Sequence, residues 1–126
     1  YARLTALLMA KLAVDDGKPE DAKKHLQWVI DHAGSDEVVA IARARMAQLV
    51  LAGGDADAAL KLFQQIGKTG SSAFPELKGD ILAKLGKTDE AAQAYADAQK
   101  LVADSGADPR LLELKIEALG RDPSAN

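Results

Sequence analysis

Three stretches of this chain repeat one spacing of glycine, acid and alanine. They are Gly17-Lys18-Pro19-Glu20-Asp21-Ala22, Gly54-Asp55-Ala56-Asp57-Ala58-Ala59 and Gly86-Lys87-Thr88-Asp89-Glu90-Ala91. In each, the alanine stands five residues after the glycine, and a large side chain (Leu26, Phe63, Tyr95) follows four residues later. A small residue (Ala10, Ala47, Gly79) lies twelve positions before each alanine. The glycines are 37 and 32 residues apart, which brackets the ~34-residue period of a helix-turn-helix solenoid. Small residues at fixed places let paired helices approach closely, so the spacing constrains the architecture before any other property does.

Composition agrees with that reading. Hydrophobic residues make up 48% of the 126 and aromatics only 4%, so the core is built from Ala, Leu, Ile and Val. Period-two runs of β-branched residues are missing and the reading is all-α. Acids and bases are interspersed at a net charge of -3, which offers no basic face for phosphates, and nucleic acid is not an expected partner. Without cysteine, disulfides, thiolate chemistry and cysteine-ligated zinc are excluded.

The spacing predicts one repeat domain over residues 1–120, with three helical hairpins and a cap forming a right-handed α-solenoid. The first pair runs over 2–16 and 19–33, the second over 37–52 and 55–66, the third over 73–85 and 88–103. A last helix over 109–119 carries Leu112, Ile116 and Leu119 on one face and serves as a cap for the terminal repeat. Gly67 to Ser72 reads as a loop, Ser72 as a cap for the third pair, and 121–126 as a frayed tail. The helix around Val38 to Leu51 is apolar over most of its circumference, as expected of an inner helix that touches several neighbours.

Signals for chemistry are sparse. Gly67-Lys68-Thr69 and Gly86-Lys87-Thr88 echo the end of a phosphate-binding loop, but Leu62 and Ile81 occupy the places of its first glycine. A preceding strand is also lacking, so these glycines read as helix ends. His25 and His32 lie seven apart with Asp21 four before the first, and no third ligand completes a metal site. Asp36-Glu37, Asp55 with Asp57, and Asp89-Glu90 fall at helix starts, where acids complement the helix dipole. The sole tryptophan, Trp28, is expected at a seam between repeats. No catalytic, cofactor or metal residue is assigned, and an enzyme is not expected.

The glycine–acid–alanine pattern resembles the tetratricopeptide repeat. A narrower resemblance, to the periplasmic domain of YfgM-type ancillary subunits of the SecYEG translocon, rests on six further pieces of sequence. These are Tyr1 with Leu4, Glu20 to Leu26, Ala56 to Lys61, Leu77-Lys78-Gly79-Asp80, Leu82 with Gly86, and Leu114-Lys115-Ile116. That resemblance implies a membrane anchor ahead of Tyr1 and a location on the periplasmic face of the bacterial inner membrane. It also implies the SecYEG translocon and a membrane-anchored prolyl isomerase-like chaperone as partners, with a chaperone-like role toward envelope proteins. The alternatives are a generic soluble tetratricopeptide adaptor in an unrelated complex and a regulatory domain of a larger enzyme. An apolar span of ~20 residues ahead of Tyr1 would separate the first from the others.

In tetratricopeptide arrays the first helices of successive hairpins line a partner-binding groove. By the family's offsets its residues here are Leu4, Leu7, Lys11, Ile41, Ala44, Gln48, Leu51, Ala73, Glu76 and Asp80. They predict a groove that is apolar in the first two repeats and acidic in the third. The clamp of lysines and asparagines with which some relatives grip a C-terminal carboxylate maps to Leu7, Lys11, Arg45, Ala73 and Leu77. No asparagine is among them, so that mode is not expected. The competing reading makes Leu4, Leu7 and Ile41 core residues, or residues covered by the last helix or a second copy.

Overall fold

The computed structural model describes residues 2–121, and among them lie eight helices and no strand. The chain divides into two compact units at Gly67/Lys68. The first holds α1 (Ala2–Asp15), α2 (Pro19–His32), α3 (Asp36–Ala52) and α4 (Ala56–Gln64). The second holds α5 (Lys68–Ala73), α6 (Pro75–Lys84), α7 (Thr88–Ser105) and α8 (Arg110–Arg121). The hairpins are α1/α2 and α3/α4 in the first unit and α6/α7 in the second.

One device turns all three hairpins. After α1, the N–H of Lys18 donates to Ala13 O (2.7 Å) and that of Gly17 to Val14 O (3.0 Å). After α3, Asp55 donates to Val50 O and Gly54 to Leu51 O; after α6, Lys87 donates to Leu82 O and Gly86 to Ala83 O. This pairing satisfies the last helical carbonyls only if the glycine takes a left-handed conformation, and Gly17, Gly54 and Gly86 have φ of +74, +98 and +77. Next in the chain come the helix starts. Asp55 accepts from the Ala58 N–H at 3.0 Å, while Pro19 opens α2, where a missing N–H costs nothing.

The repeated positions form the hairpin interiors. Ala22, Ala59 and Ala91 have no exposed surface, and Leu26, Phe63, Tyr95, Ala10 and Ala47 are buried with them. Gly79, the third small residue, is buried too. A Cβ on Gly79 would stand 2.5 Å from two carbons of the Tyr95 ring, so α6 and α7 pack too closely there for a methyl group. In the first unit, Ala6, Leu7 and Ala10 of α1, Ala22, Leu26 and Val29 of α2, and Ala42 and Met46 of α3 make one core cluster. The remaining buried positions of α3, Ala40, Ala44 and Ala47, recur at four and three residues and form a second face. An inner helix buried on two faces is what its apolar circumference predicted.

The structure corrects the expected third pair. Most of the segment read as a loop, Gly67 to Ser72, belongs to a short helix that runs from Lys68 to Ala73, and the first helix of the pair, expected from Ala73, starts only at Pro75. Turn-forming residues suggested a loop, but Gly67 (φ +76) and Pro75 bound just enough chain for a turn and a half of helix. The Ser72 hydroxyl does not cap α6; it donates back to Lys68 O and Thr69 O within α5. Trp28 does not fill a seam either: it is 39% exposed and its ring stacks on His32 at 4.4 Å between centroids. α8 reaches Arg121, and 122–126, the rest of the expected tail, lie outside the described residues.

Candidate functional site

In the first unit, the two first helices α1 and α3 border a groove of about 470 Å³. Ala10, Lys11 and Val14 line it from α1, Leu26 from the α2 side, and Arg45, Gln48, Leu49 and Ala52 from α3. The walls are apolar, and the buried Leu26 forms part of the lining. Lys11 and Arg45 are both exposed, and neither has an ion-pair partner among the described residues. Two like charges thus face a concave apolar surface, an arrangement suited to an apolar segment that brings an acid.

The second unit has a different arrangement on α6. Glu76 and Asp80 lie one turn apart on that helix, and Lys115 of α8 reaches both. Its Nζ donates to Glu76 Oε1 at 2.8 Å and to the Asp80 oxygens at 2.9 and 3.1 Å. The Tyr95 hydroxyl donates to Asp80 Oδ1 at 2.7 Å, and the Lys115 ammonium stands 5.9 Å from the Tyr95 ring centroid, within cation–π reach. Burial, reinforced by the hydrogen bond to Asp80 and the charges of Asp80 and Glu76, pushes the Tyr95 hydroxyl well above its usual range. For Lys115 burial acts against the charge, but the hydrogen bonds to Glu76 and Asp80 outweigh it and hold the ammonium above the ordinary lysine value. The apolar side of α8 completes the closure: Leu112 is buried beside Tyr95, Ala94 and Ala98, with Ile116 and Leu119 packed against the same cluster.

The residues predicted for the groove separate accordingly. Lys11 and Gln48 line the cavity. Leu4 (66% exposed) stands seven residues before Lys11, and Ile41 (36% exposed) four before Arg45, so each continues the stripe of its helix beyond the groove. Leu7 and Ala44 are buried, and Leu51 is half-buried. Ala73 ends α5 and is therefore on a different helix from Glu76 and Asp80. Arg45 faces the groove although it was singled out only as part of a clamp pattern that this chain lacks. Lys115 has no local sequence signal, because its partners are 39 and 35 residues away.

The tetratricopeptide repeat-like domain family matches residues 1–121. The chain belongs to that family. Domains of the tetratricopeptide repeat-like kind are typically non-catalytic protein-interaction modules. Among the curated proteins, an ancillary SecYEG translocon subunit of Neisseria gonorrhoeae (strain ATCC 700825 / FA 1090) is 29% identical over 116 residues. The alignment takes in 90% of this tetratricopeptide repeat-like chain and 56% of that protein, so the chain spans little more than half of its relative's length. No solved structure matches. Among the described residues no helix is long and apolar enough to cross a membrane, and no group of three or more acids or histidines is placed to hold a metal.

Proposed function

We propose that this tetratricopeptide repeat-like domain is a non-catalytic partner-binding module of an ancillary Sec translocon subunit, acting on the periplasmic face of the bacterial inner membrane. Its partners are the SecYEG translocon and a membrane-anchored prolyl isomerase-like chaperone, and its role toward emerging envelope proteins is chaperone-like. The observation that carries the binding role is the groove between α1 and α3, with apolar walls and two cations that meet no acid among the described residues. The translocon as partner rests on the likeness to the gonococcal protein, and the periplasmic location and the chaperone partner rest on the resemblance of the sequence to YfgM-type subunits.

The test is made in cells on the full-length protein, with a photocrosslinking residue at Gln48 in the groove and another at the exposed Asp57 of α4 as control. Adducts with translocon or envelope proteins are expected from Gln48 and not from Asp57. Membrane fractionation with protease access should find the domain protected until the outer membrane is opened. Soluble cytoplasmic material without groove adducts would sink the reading. Ile41→Glu is expected to abolish the Gln48 adducts and leave helicity unchanged, because the side chain is over a third exposed.

A further inference from the structure

The α1/α3 seam, between two first helices, and the α6/α8 seam, between a first helix and the terminal helix, differ in the charges along them. Across the α6/α8 seam, Lys115 meets Glu76 and Asp80 at 2.8–3.1 Å and draws the helices together. Across the α1/α3 seam, Lys11 and Arg45 border an open groove and meet no acid among the described residues. The comparison is in register: Lys11, Gln48 and Asp80 each follow directly on the small residue of their hairpin, Ala10, Ala47 and Gly79.

The second unit therefore contains its own example of an occupant. α8 is an amphipathic helix that offers Leu112, Ile116 and Leu119 to an apolar surface and one charged side chain to the opposite charge on α6. The α1/α3 groove has the apolar surface and the reversed sign. We infer that this groove docks an amphipathic partner helix that sets an aspartate or glutamate side chain between Lys11 and Arg45. Val14, Leu49 and Ala52 cover the helix's apolar stripe, and the Gln48 amide can donate to the second carboxylate oxygen. An acid there also offsets the two like charges that line the groove, as Lys115 offsets Glu76 and Asp80 with the signs exchanged. The inference rests on the partner-binding reading of the groove and adds to it the chemistry of the partner.

The test uses the 126-residue chain and three fluorescein-labelled Leu/Ala/Gln helical peptides that differ only in a central Glu, Gln or Lys. By anisotropy at low salt, the Glu peptide is expected to bind about five- to tenfold more tightly than the Gln peptide, with the Lys peptide weakest. High salt should narrow the gap. The double change K11E/R45E should reverse the order, and K11Q/R45Q should remove the difference between Glu and Gln; both keep exposed positions polar, and circular dichroism checks the fold. A Glu–Gln gap that survives K11Q/R45Q overturns the inference. Equal binding of Glu and Gln peptides, lost in Val14→Arg, leaves the groove as a binding site and overturns the acidic helix. Binding of no peptide, or binding indifferent to Val14→Arg, overturns the groove itself. Self-association of the chain that Leu114→Glu abolishes and the Glu peptide competes away would assign the groove to α8 of a second copy instead.

Discussion

The α1/α3 seam and the α6/α8 seam each set a first helix beside another helix of its unit, yet one is open and the other shut. Both have apolar floors: Leu26 under the first, and Leu112 among Tyr95, Ala94 and Ala98 in the second. What differs is sign. Lys11 and Arg45 are alike, whereas Lys115 opposes Glu76 and Asp80. Apolar spacing determines where helices of this fold lie, and on the proposed reading a handful of charges marks the face left for a partner. The second unit uses its acidic face internally, while the cationic face of the first meets no acid among the described residues.

The largest expected effect comes from the packing beneath the closed seam. Gly79→Ala forces a methyl group into the Tyr95 ring, at a cost of about 1–3 kcal/mol for overpacking, offset by up to about 1 kcal/mol of helix propensity. A net loss of about 1–2 kcal/mol should appear in urea denaturation. The same change made beside Tyr95→Leu should cost little, because Ala10 and Ala47 already face non-tyrosine partners in the first unit, and a double-mutant cycle measures the coupling. If Gly79→Ala were harmless with Tyr95 present, the close approach of α6 and α7 would be wrong.

Next in size is the latch. Lys115→Met keeps the apolar stem and removes the charge, and should cost about 1 kcal/mol, since the acids and the lysine are only partly buried. Hydrogen exchange across α8 should rise more than exchange across α2. The latch also has a pH signature. Tyr95 and Lys115 titrate above their ordinary values of 10.0 and 10.5 in the folded chain, so their contribution is complete below about pH 10 and declines as the pH rises further. The native chain should therefore lose stability above pH 10 more steeply than Lys115→Met, and parallel alkaline profiles would refute the assignment.

The smallest effect would make the open seam resemble the closed one. Lys11→Glu sets an acid opposite Arg45, and should gain no more than about 0.5–1 kcal/mol, as an exposed pair does. The informative readout is accessibility. Chemical labelling of a cysteine placed at Gln48 should slow if the groove draws shut, and an unchanged rate would separate the charge pattern from the opening.

Much of the fold was legible because its rules are local. A glycine at each hairpin corner, an alanine five residues later and a small residue twelve before that alanine specify the corner and the crossing, and all three hairpins use them in that way. The short helix α5 was not legible, since Lys-Thr-Gly-Ser-Ser-Ala has the composition of a loop and is helical only between its two breakers. For the site, spacing brought Lys11 and Gln48 to the groove but could not tell Leu7 and Ala44 from their exposed neighbours. Leu7 shares its cluster with α2 and α3, and Ala44 belongs to the second buried face of α3. The hold of Lys115 on Glu76 and Asp80 spans more than thirty residues, and no local period encodes it.

The stacked Trp28 gives the molecule an optical asymmetry. As the sole tryptophan, resting on His32 in the first unit, it emits from one half of the chain and is dark to the other. A melting curve followed by its fluorescence records the loosening of α2 and its neighbours, whereas far-ultraviolet ellipticity averages over every helix. Coincident curves would mean that the open and the latched halves unfold as one cooperative body, and separated curves that each has a stability of its own.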